Sequence, residues 1–232
     1  MNAEKKSVYE FGIGCLKIIL ASASPRRREL LAAAGFDFRM VVADVEEIDD
    51  PSIDPVTLVR ENALLKARAV AASLESGREL SAPSQSEGAE SSLAPSLVLG
   101  ADTTVALDGK IYGKPANIVE ARAMLQALAG RTHEVLTGVA LIYGEREHVF
   151  HETSRVTFRS DIDPDAYFSR VNPLDKAGAY AAQEHAGEII ERIEGCRNNV
   201  IGLPVARLRE ELSAIVPPRG SACVFRLPNA CF

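Results

Sequence analysis

The strongest constraint on this chain is a punctuation mark that recurs along it. Ser24-Pro25, Asp54-Pro55 and Asp163-Pro164 each place a small polar residue and a proline where a helical pattern begins. A serine or aspartate caps the free N–H groups of a first helical turn. Proline suits the next position because its φ is preset and its missing N–H is not needed there. Before Ser24 stands Leu16-Lys17-Ile18-Ile19-Leu20, short and rich in β-branched residues, which reads as a strand. The helix that follows runs through Leu30 and Leu31 to a stop at Gly35. After Asp54, residues Val56, Val59, Ala63, Leu64, Ala67 and Val70 recur at helical spacing. Leu97-Val98-Leu99 reads as an apolar strand ending in Gly100-Ala101-Asp102. Asp108-Gly109, flanked by apolar pairs, predicts a hairpin with a type I′ turn. Further helices are expected over 120–128, from Asp163-Pro164 and over 205–215, and strands over 135–142, 155–158 and 189–193. Strands and helices intermingle in this way in an α/β fold with a mixed (parallel and antiparallel) sheet flanked by helices.

Composition narrows the class. Of 232 residues, 47% are hydrophobic and 25% charged, which suits a soluble globular chain and excludes a disordered, collagen-like or coiled-coil one. The net charge of −6 argues against a nucleic acid polymer as partner, since such domains carry a basic excess. No run of about 18 apolar residues offers a membrane span. Cys15, Cys196, Cys223 and Cys231 form neither a CxxC pair nor a zinc spacing, and are expected to be reduced thiols of a cytoplasmic protein. Residues 1–15 read as a polar leader, 16–215 as one domain, and 216–232 as an irregular tail. Residues 73–96 include eight serines and four glutamates, too little apolar surface to offset ordering, and are expected to form a flexible insertion.

Chemistry is suggested at several places. Arg26, Arg27 and Arg28 crowd the first turn of a helix, where the macrodipole disfavours cations. A bound polyanion would resolve that conflict, as would solvation or pairing with acids elsewhere. Asp102, beyond a buried strand, can hold a metal or take a proton from water, or simply cap a turn. Gly100 before it would allow a ligand to approach closely. Gly113-Lys114-Pro115 is not a P-loop, because proline replaces the magnesium-binding Ser/Thr, yet Lys114 can meet a phosphate as a point charge. Glu46-Glu47 offers oxygen ligands of the kind Mg²⁺ prefers, or a solvated loop. Gln183 has an amide able to read a base edge. His148 and His151 have no third ligand in view.

Taken in order, the segments Leu20-Ala21-Ser22-Ala23-Ser24-Pro25-Arg26-Arg27, Glu46-Glu47, Leu99-Gly100-Ala101-Asp102-Thr103 and Gly113-Lys114-Pro115 resemble the Maf family of nucleoside triphosphate pyrophosphatases. So do Gly130-Arg131-Thr132-His133, Tyr180-Ala181-Ala182-Gln183, and Glu194-Gly195 through Asn199-Val200-Ile201-Gly202-Leu203-Pro204. The pattern of 177–183, Ala-Gly-Ala-Tyr-x-x-Gln, is similar to that of the branch acting on dTTP and UTP. The resemblance implies a Maf/ITPase-like fold with two lobes around a nucleotide-binding cleft. It implies cleavage of the triphosphate to a monophosphate and diphosphate. It further implies Asp102 as proton acceptor or metal ligand, and Ser24, Arg26, Arg27, Lys66, Thr103, Lys114 and Gln183 as substrate-binding residues. Glu47 with Asp102 would hold Mg²⁺ or Mn²⁺, and the chain would form a homodimer. Two other functions stay open at this point: action on a modified purine nucleotide such as 7-methyl-GTP, and non-catalytic regulation of septum formation. The chain departs from the family pattern at Glu184-His185, where a glycine and an apolar residue are commoner, and at Cys196-Arg197.

Overall fold

Strand β3, Leu97–Leu107, has apolar residues on both faces, and both faces are covered. The computed structural model describes residues 16–42, 44–50, 52–76 and 96–216. The leader, most of the serine-rich segment and nearly all of the tail lie outside these residues, as do Cys15, Cys223 and Cys231.

Seven described strands form one sheet: β1 Ile18–Ala21, β2 Phe38–Met40, β3, β4 Lys110–Tyr112, β5 Thr132–Tyr143, β6 Arg146–Phe158 and β7 Ile190–Glu194. Their order is β2-β1-β3-β5-β6-β7, with β4 attached to β3. β1 pairs in parallel with β2 and β3, and the remaining pairs are antiparallel, so the expected mixed sheet is present. The helices are α1 Pro25–Ala33, α2 Pro55–Glu75, α3 Ile118–Leu128, α4 Pro164–Phe168, α5 Ala186–Ile189, α6 Arg197–Ile201 and α7 Val205–Ile215. Each expected cap is formed. Ser24 accepts from the Arg27 N–H at 3.5 Å, Asp54 from the Thr57 N–H at 2.8 Å, and Asp163 from the Asp165 and Ala166 N–H groups at 3.0 and 3.1 Å. None of the described helices is long and apolar enough to cross a membrane.

The two faces of the sheet are covered differently. On one face, Val98, Ala140 and Ile142 pack against Ala63, Ala67 and Val70 of α2. On the other, Leu97, Leu99, Ala101, Val139 and Leu141 meet Leu31 of α1 and Leu208 and Leu212 of α7. Further along that second face, Val105, Val135, Val156 and Phe158 pack with α3, α4 and the segment 179–182. These two clusters at opposite ends of the long strands are the two lobes.

Two glycines set the distance between α2 and the sheet. A Cβ on Gly100 would lie 2.2 Å from the Ala63 carbonyl oxygen, and one on Gly138 would lie 2.2 Å from that of Val59. The helix backbone therefore rests directly on β3 and β5. The close approach expected at Gly100 is real, but its partner is α2 rather than a ligand.

Several boundaries differ from the sequence reading. β3 does not end at Asp102, because residues 97–106 pair without interruption with β5, and Asp102 sits mid-strand opposite Gly138. The Asp108-Gly109 turn follows six residues after Asp102 with φ of 51° and 76°, as a type I′ turn requires. β6 is much longer than 155–158 and carries His148 and His151, because its pairing with β5 extends from Tyr143↔Arg146 to Thr132↔Thr157. Helix α2 continues to Glu75, with Ser73 buried and Leu74 packed on the core, so residues 73–75 are not part of an insertion. The remainder of that segment, 77–95, lies outside the described residues. Strand β2 and helices α5 and α6 are too short for periodicity to reveal.

Two measurements check this packing. Gly138→Ala forces a methyl into the Val59 carbonyl, and a main-chain oxygen has no rotamer by which to retreat. The substitution should cost about 2–4 kcal/mol in chemical denaturation, at the upper end for overpacking. The second concerns His133, buried among Phe158 and Tyr180. Burial pushes its imidazole down from 6.5 to about 4. The unfolded chain takes up a proton in that interval and the folded chain does not. The stability contributed by the neutral ring is thus complete above pH 6.5 and is lost as pH falls toward 4. It amounts to about 3 kcal/mol. His133→Gln should flatten that part of the stability–pH curve; an unchanged slope would show that the ring is not held neutral.

Candidate active site

The site lies at a gap in the sheet. On one edge of β3, pairing with β1 stops at Gly100 and pairing with β4 starts at Val105. Residues 101–104 therefore have no strand neighbour on that edge among the described residues. A cleft of about 470 Å³ opens there. Alternation along β3 sends Asp102 toward the α2 face and Thr103 toward the α1 face. Both side chains reach the same cleft because the sheet is open between them. All the residues expected at the site line this cleft: Ser24, Arg26, Arg27, Glu47, Lys66, Asp102, Thr103, Lys114 and Gln183.

On the α2 side, Lys66 Nζ bridges two carboxylates. It donates to Asp102 Oδ1 and to Glu47 Oε2, each at 2.7 Å. Asp102 and Lys66 are both 14% exposed, and Glu47 is 42% exposed. Four residues before Lys66, on the same helical face, Asn62 is buried. Its side chain accepts from the Ile48 N–H at 2.8 Å and donates to the Ile48 carbonyl at 3.0 Å, fastening the loop that carries Glu47. It also reaches Asp102 Oδ2 at 3.5 Å, a marginal contact that leaves this oxygen available. The sequence held a signal for Asn62, since a polar residue interrupts the apolar face formed by Val59, Ala63 and Ala67.

On the α1 side, the three arginines separate. Arg28 is exposed. Arg26 donates through Nη1 to Asp175 Oδ2 at 2.9 Å and through Nη2 to the Asp175 carbonyl at 3.1 Å. Arg27 donates through Nε to the Gly202 carbonyl at 2.9 Å, through Nη1 to Ser22 Oγ at 3.2 Å, and through Nη2 to Thr103 Oγ1 at 3.1 Å. Burial lowers the Arg27 pKa, Asp102 opposes this, Arg26 adds to it and Glu47 opposes it. The guanidinium remains charged at neutral pH. The conflict with the helix dipole is thus met partly by protein acceptors.

The opposite wall consists of Asp175 to Ala177 and Tyr180 to Gln183. Lys176 is buried and donates to the Asn172 carbonyl at 2.9 Å and to Asp175 Oδ1 at 2.7 Å. Burial pushes the Asp175 carboxyl up, but hydrogen bonds from Lys176 and Arg26, together with their charges, more than offset this and leave it below its ordinary value. Asp175 and Lys176 were not singled out from the sequence. Their relation to Arg26 spans 149 residues and has no local signature. Gly178 adopts φ +67°, and a Cβ there would press on Val105 and Tyr180 at 3.0–3.3 Å, so glycine is needed to seat this wall.

No group of three or more His, Cys, Asp or Glu that could hold a metal occurs among the described residues. Glu47 and Asp102 present two carboxylates on one floor. Mg²⁺ is usually held by one or two carboxylates and completed by water and substrate phosphates, so this donor set suits a divalent cation that arrives with a triphosphate.

The sequence matches the family model for Maf-like proteins over residues 17–215. The dTTP/UTP pyrophosphatase of Bacillus cytotoxicus is 43% identical over 198 residues, which cover 84% of this chain and 94% of the relative. That of Bacillus cereus is also 43% identical over 198 residues, covering 84% and 88%. Among solved structures, the Staphylococcus aureus Ham1 protein aligns with a TM-score of 0.45 at 17% identity, over 85% of this chain and 98% of that one, a likeness too distant to bear on the chemistry. A family match over residues 17–215 and relatives 43% identical over most of the chain lead to one conclusion: the chain belongs to the Maf family.

Proposed function

We propose that this protein is a nucleoside triphosphate pyrophosphatase that hydrolyses dTTP and UTP to the monophosphate and pyrophosphate in the cytoplasm. The observation that carries this reading is the convergence of Arg26, Arg27, Lys66 and Lys114 with Asp102 and Glu47 in one cleft. Arg26, Arg27 and Lys114 offer cationic charge to a triphosphate, Lys66 holds the acids, and the two acids match a metal and a water. The cleft volume falls in the range of small-molecule sites. The relatives named as dTTP/UTP pyrophosphatases support the same substrate class.

In the reaction, water attacks the α-phosphorus and the bond to the bridging α–β oxygen breaks. Pyrophosphate leaves with that electron pair, and the proton of the water passes to a base. Asp102 is suited to accept it: Lys66 holds Oδ1, while Oδ2 keeps lone pairs free. Lys66 fixes the Asp102 carboxylate in position. Arg26, Arg27 and Lys114 neutralise charge on the phosphate oxygens. A bound Mg²⁺ or Mn²⁺ would supply further neutralisation of the phosphates, with Glu47 and Asp102 as its protein ligands. Uracil and thymine offer an acceptor–donor–acceptor edge, which the Gln183 amide can meet with complementary groups.

Pyrophosphate release from a panel of nucleoside triphosphates, with and without Mg²⁺, tests the reading directly. Activity should be highest with dTTP and UTP and should collapse on chelation. Asp102→Asn preserves shape and removes the base, so kcat should fall about 10²-fold or more; near wild-type turnover would remove Asp102 from this role. Gln183→Ala should lower the UTP:CTP ratio of kcat/KM by about tenfold. An unchanged ratio would place base reading elsewhere.

A further inference from the structure

Thr137 lies in the middle of β5, fully buried, with a hydroxyl that no part of the proposed chemistry uses. Its Oγ1 donates to the Asn199 carbonyl at 3.0 Å. A carbonyl only accepts, and a hydroxyl has a single hydrogen, so that hydrogen is committed. The 3.0 Å contact between Thr137 Oγ1 and Thr103 Oγ1 must then be donated by Thr103. Thr103 thereby commits its own hydrogen inward and can offer only lone pairs to the cleft. One of these accepts from Arg27 Nη2 at 3.1 Å. Every bond from Arg27 through Thr103 and Thr137 to Asn199 therefore has one possible direction.

The far end of this chain is anchored. Asn199 is completely buried, and its Nδ2 donates to the Val135 carbonyl at 2.9 Å and to Ser154 Oγ at 3.0 Å. Ser154 in turn donates to the Cys196 carbonyl and accepts from the Cys196 N–H, both at 3.0 Å. The near end carries the consequence. A guanidinium has five N–H donors, and Arg27 gives three of them to Gly202, Ser22 and Thr103. One donor remains on each terminal nitrogen, available to oxygens of a phosphate. Gly202, which accepts from Nε, has φ +130° and is open only to glycine without strain.

We propose that Thr137, acting through Thr103, is a positioning residue that fixes the Arg27 guanidinium by a one-way hydrogen-bond chain and so reserves its two remaining donors for a phosphate of the substrate. This rests on the triphosphate reading above. It also moves Thr103 from direct substrate binding, as the resemblance implied, to holding Arg27.

The test is a double-mutant cycle read by equilibrium binding of the non-hydrolysable α,β-imido analogue of dUTP, alongside Tm. Thr137→Val keeps the shape and breaks the chain; it should weaken binding about 5- to 20-fold. Thr137→Ser keeps the hydroxyl and should bind within about twofold of wild type. In an Arg27→Ala background, Thr137→Val should add less than about twofold, because the group that it positions is gone. Should Thr137→Val fail to fold, Thr103→Val, at a partly buried position, carries the same expectation and the same cycle. A variant that binds like wild type while only its Tm falls, or whose loss of affinity persists in full without Arg27, would overturn the proposal. Wild-type protein that binds no analogue would overturn the triphosphate reading and this proposal together, whereas normal wild-type binding with inert threonine variants would overturn the positioning role alone.

Discussion

The contact on which the rest of the site depends is made by atoms that carry no chemistry: the backbone of α2 lying directly on β3 and β5 at Gly100 and Gly138. Helices normally stand off a sheet by the depth of two side-chain layers. Here the absent Cβ atoms remove that layer at two adjacent points. Lys66 and Asn62 are brought within reach of a carboxylate that sits in the middle of a strand. A lysine at this place on a helix at ordinary distance would meet solvent. The same approach buries Val59, Ala63 and Ala67 completely, so stability and site geometry share one cause.

The second organising feature is the open edge of β3. A continuous neighbour over residues 101–104 would close the sheet, and the side chains of Asp102 and Thr103 would be confined to opposite faces. Because β1 and β4 leave residues 101–104 of β3 unpaired between them, groups from both faces meet in one cleft. The cations that gather there are held in different ways. Lys66 and Arg26 are paired with carboxylates, while Arg27 is held by two hydroxyls and a carbonyl. A neutral cradle leaves the Arg27 charge uncompensated at contact distance, and this is the electrostatic reason to expect it to meet the phosphates most strongly.

Much of the local structure was legible beforehand because its causes are local. The Ser24-Pro25, Asp54-Pro55 and Asp163-Pro164 starts, the stop at Gly35 and the Asp108-Gly109 turn all depend on capping and φ preferences within a few residues. The extent of β3, β5 and β6 was not legible, since pairing with a distant strand, rather than propensity, keeps Asp102 to Thr104 and 146–154 extended. The continuation of α2 through Ser73 was hidden by a composition that looks solvated but buries one face.

For the site, the resemblance to the Maf family pointed to Ser24, Arg26, Arg27, Glu47, Lys66, Asp102, Thr103, Lys114 and Gln183, and all line one cleft. Asn62, Thr137 and Asp175 escaped notice because their partners lie 14 to 149 residues away. The sequence by itself thus determined where helices start, where tight turns fall, which charges are available and which family the chain belongs to, because each of these is written in side-chain chemistry over short spans. Only the tertiary structure decided that Gly100 admits a helix and not a ligand, that Thr103 faces inward with its hydrogen spent, and that Arg26 is paired while Arg27 keeps two donors free. Those outcomes depend on which groups meet across the fold and on the single hydrogen that a hydroxyl has to give.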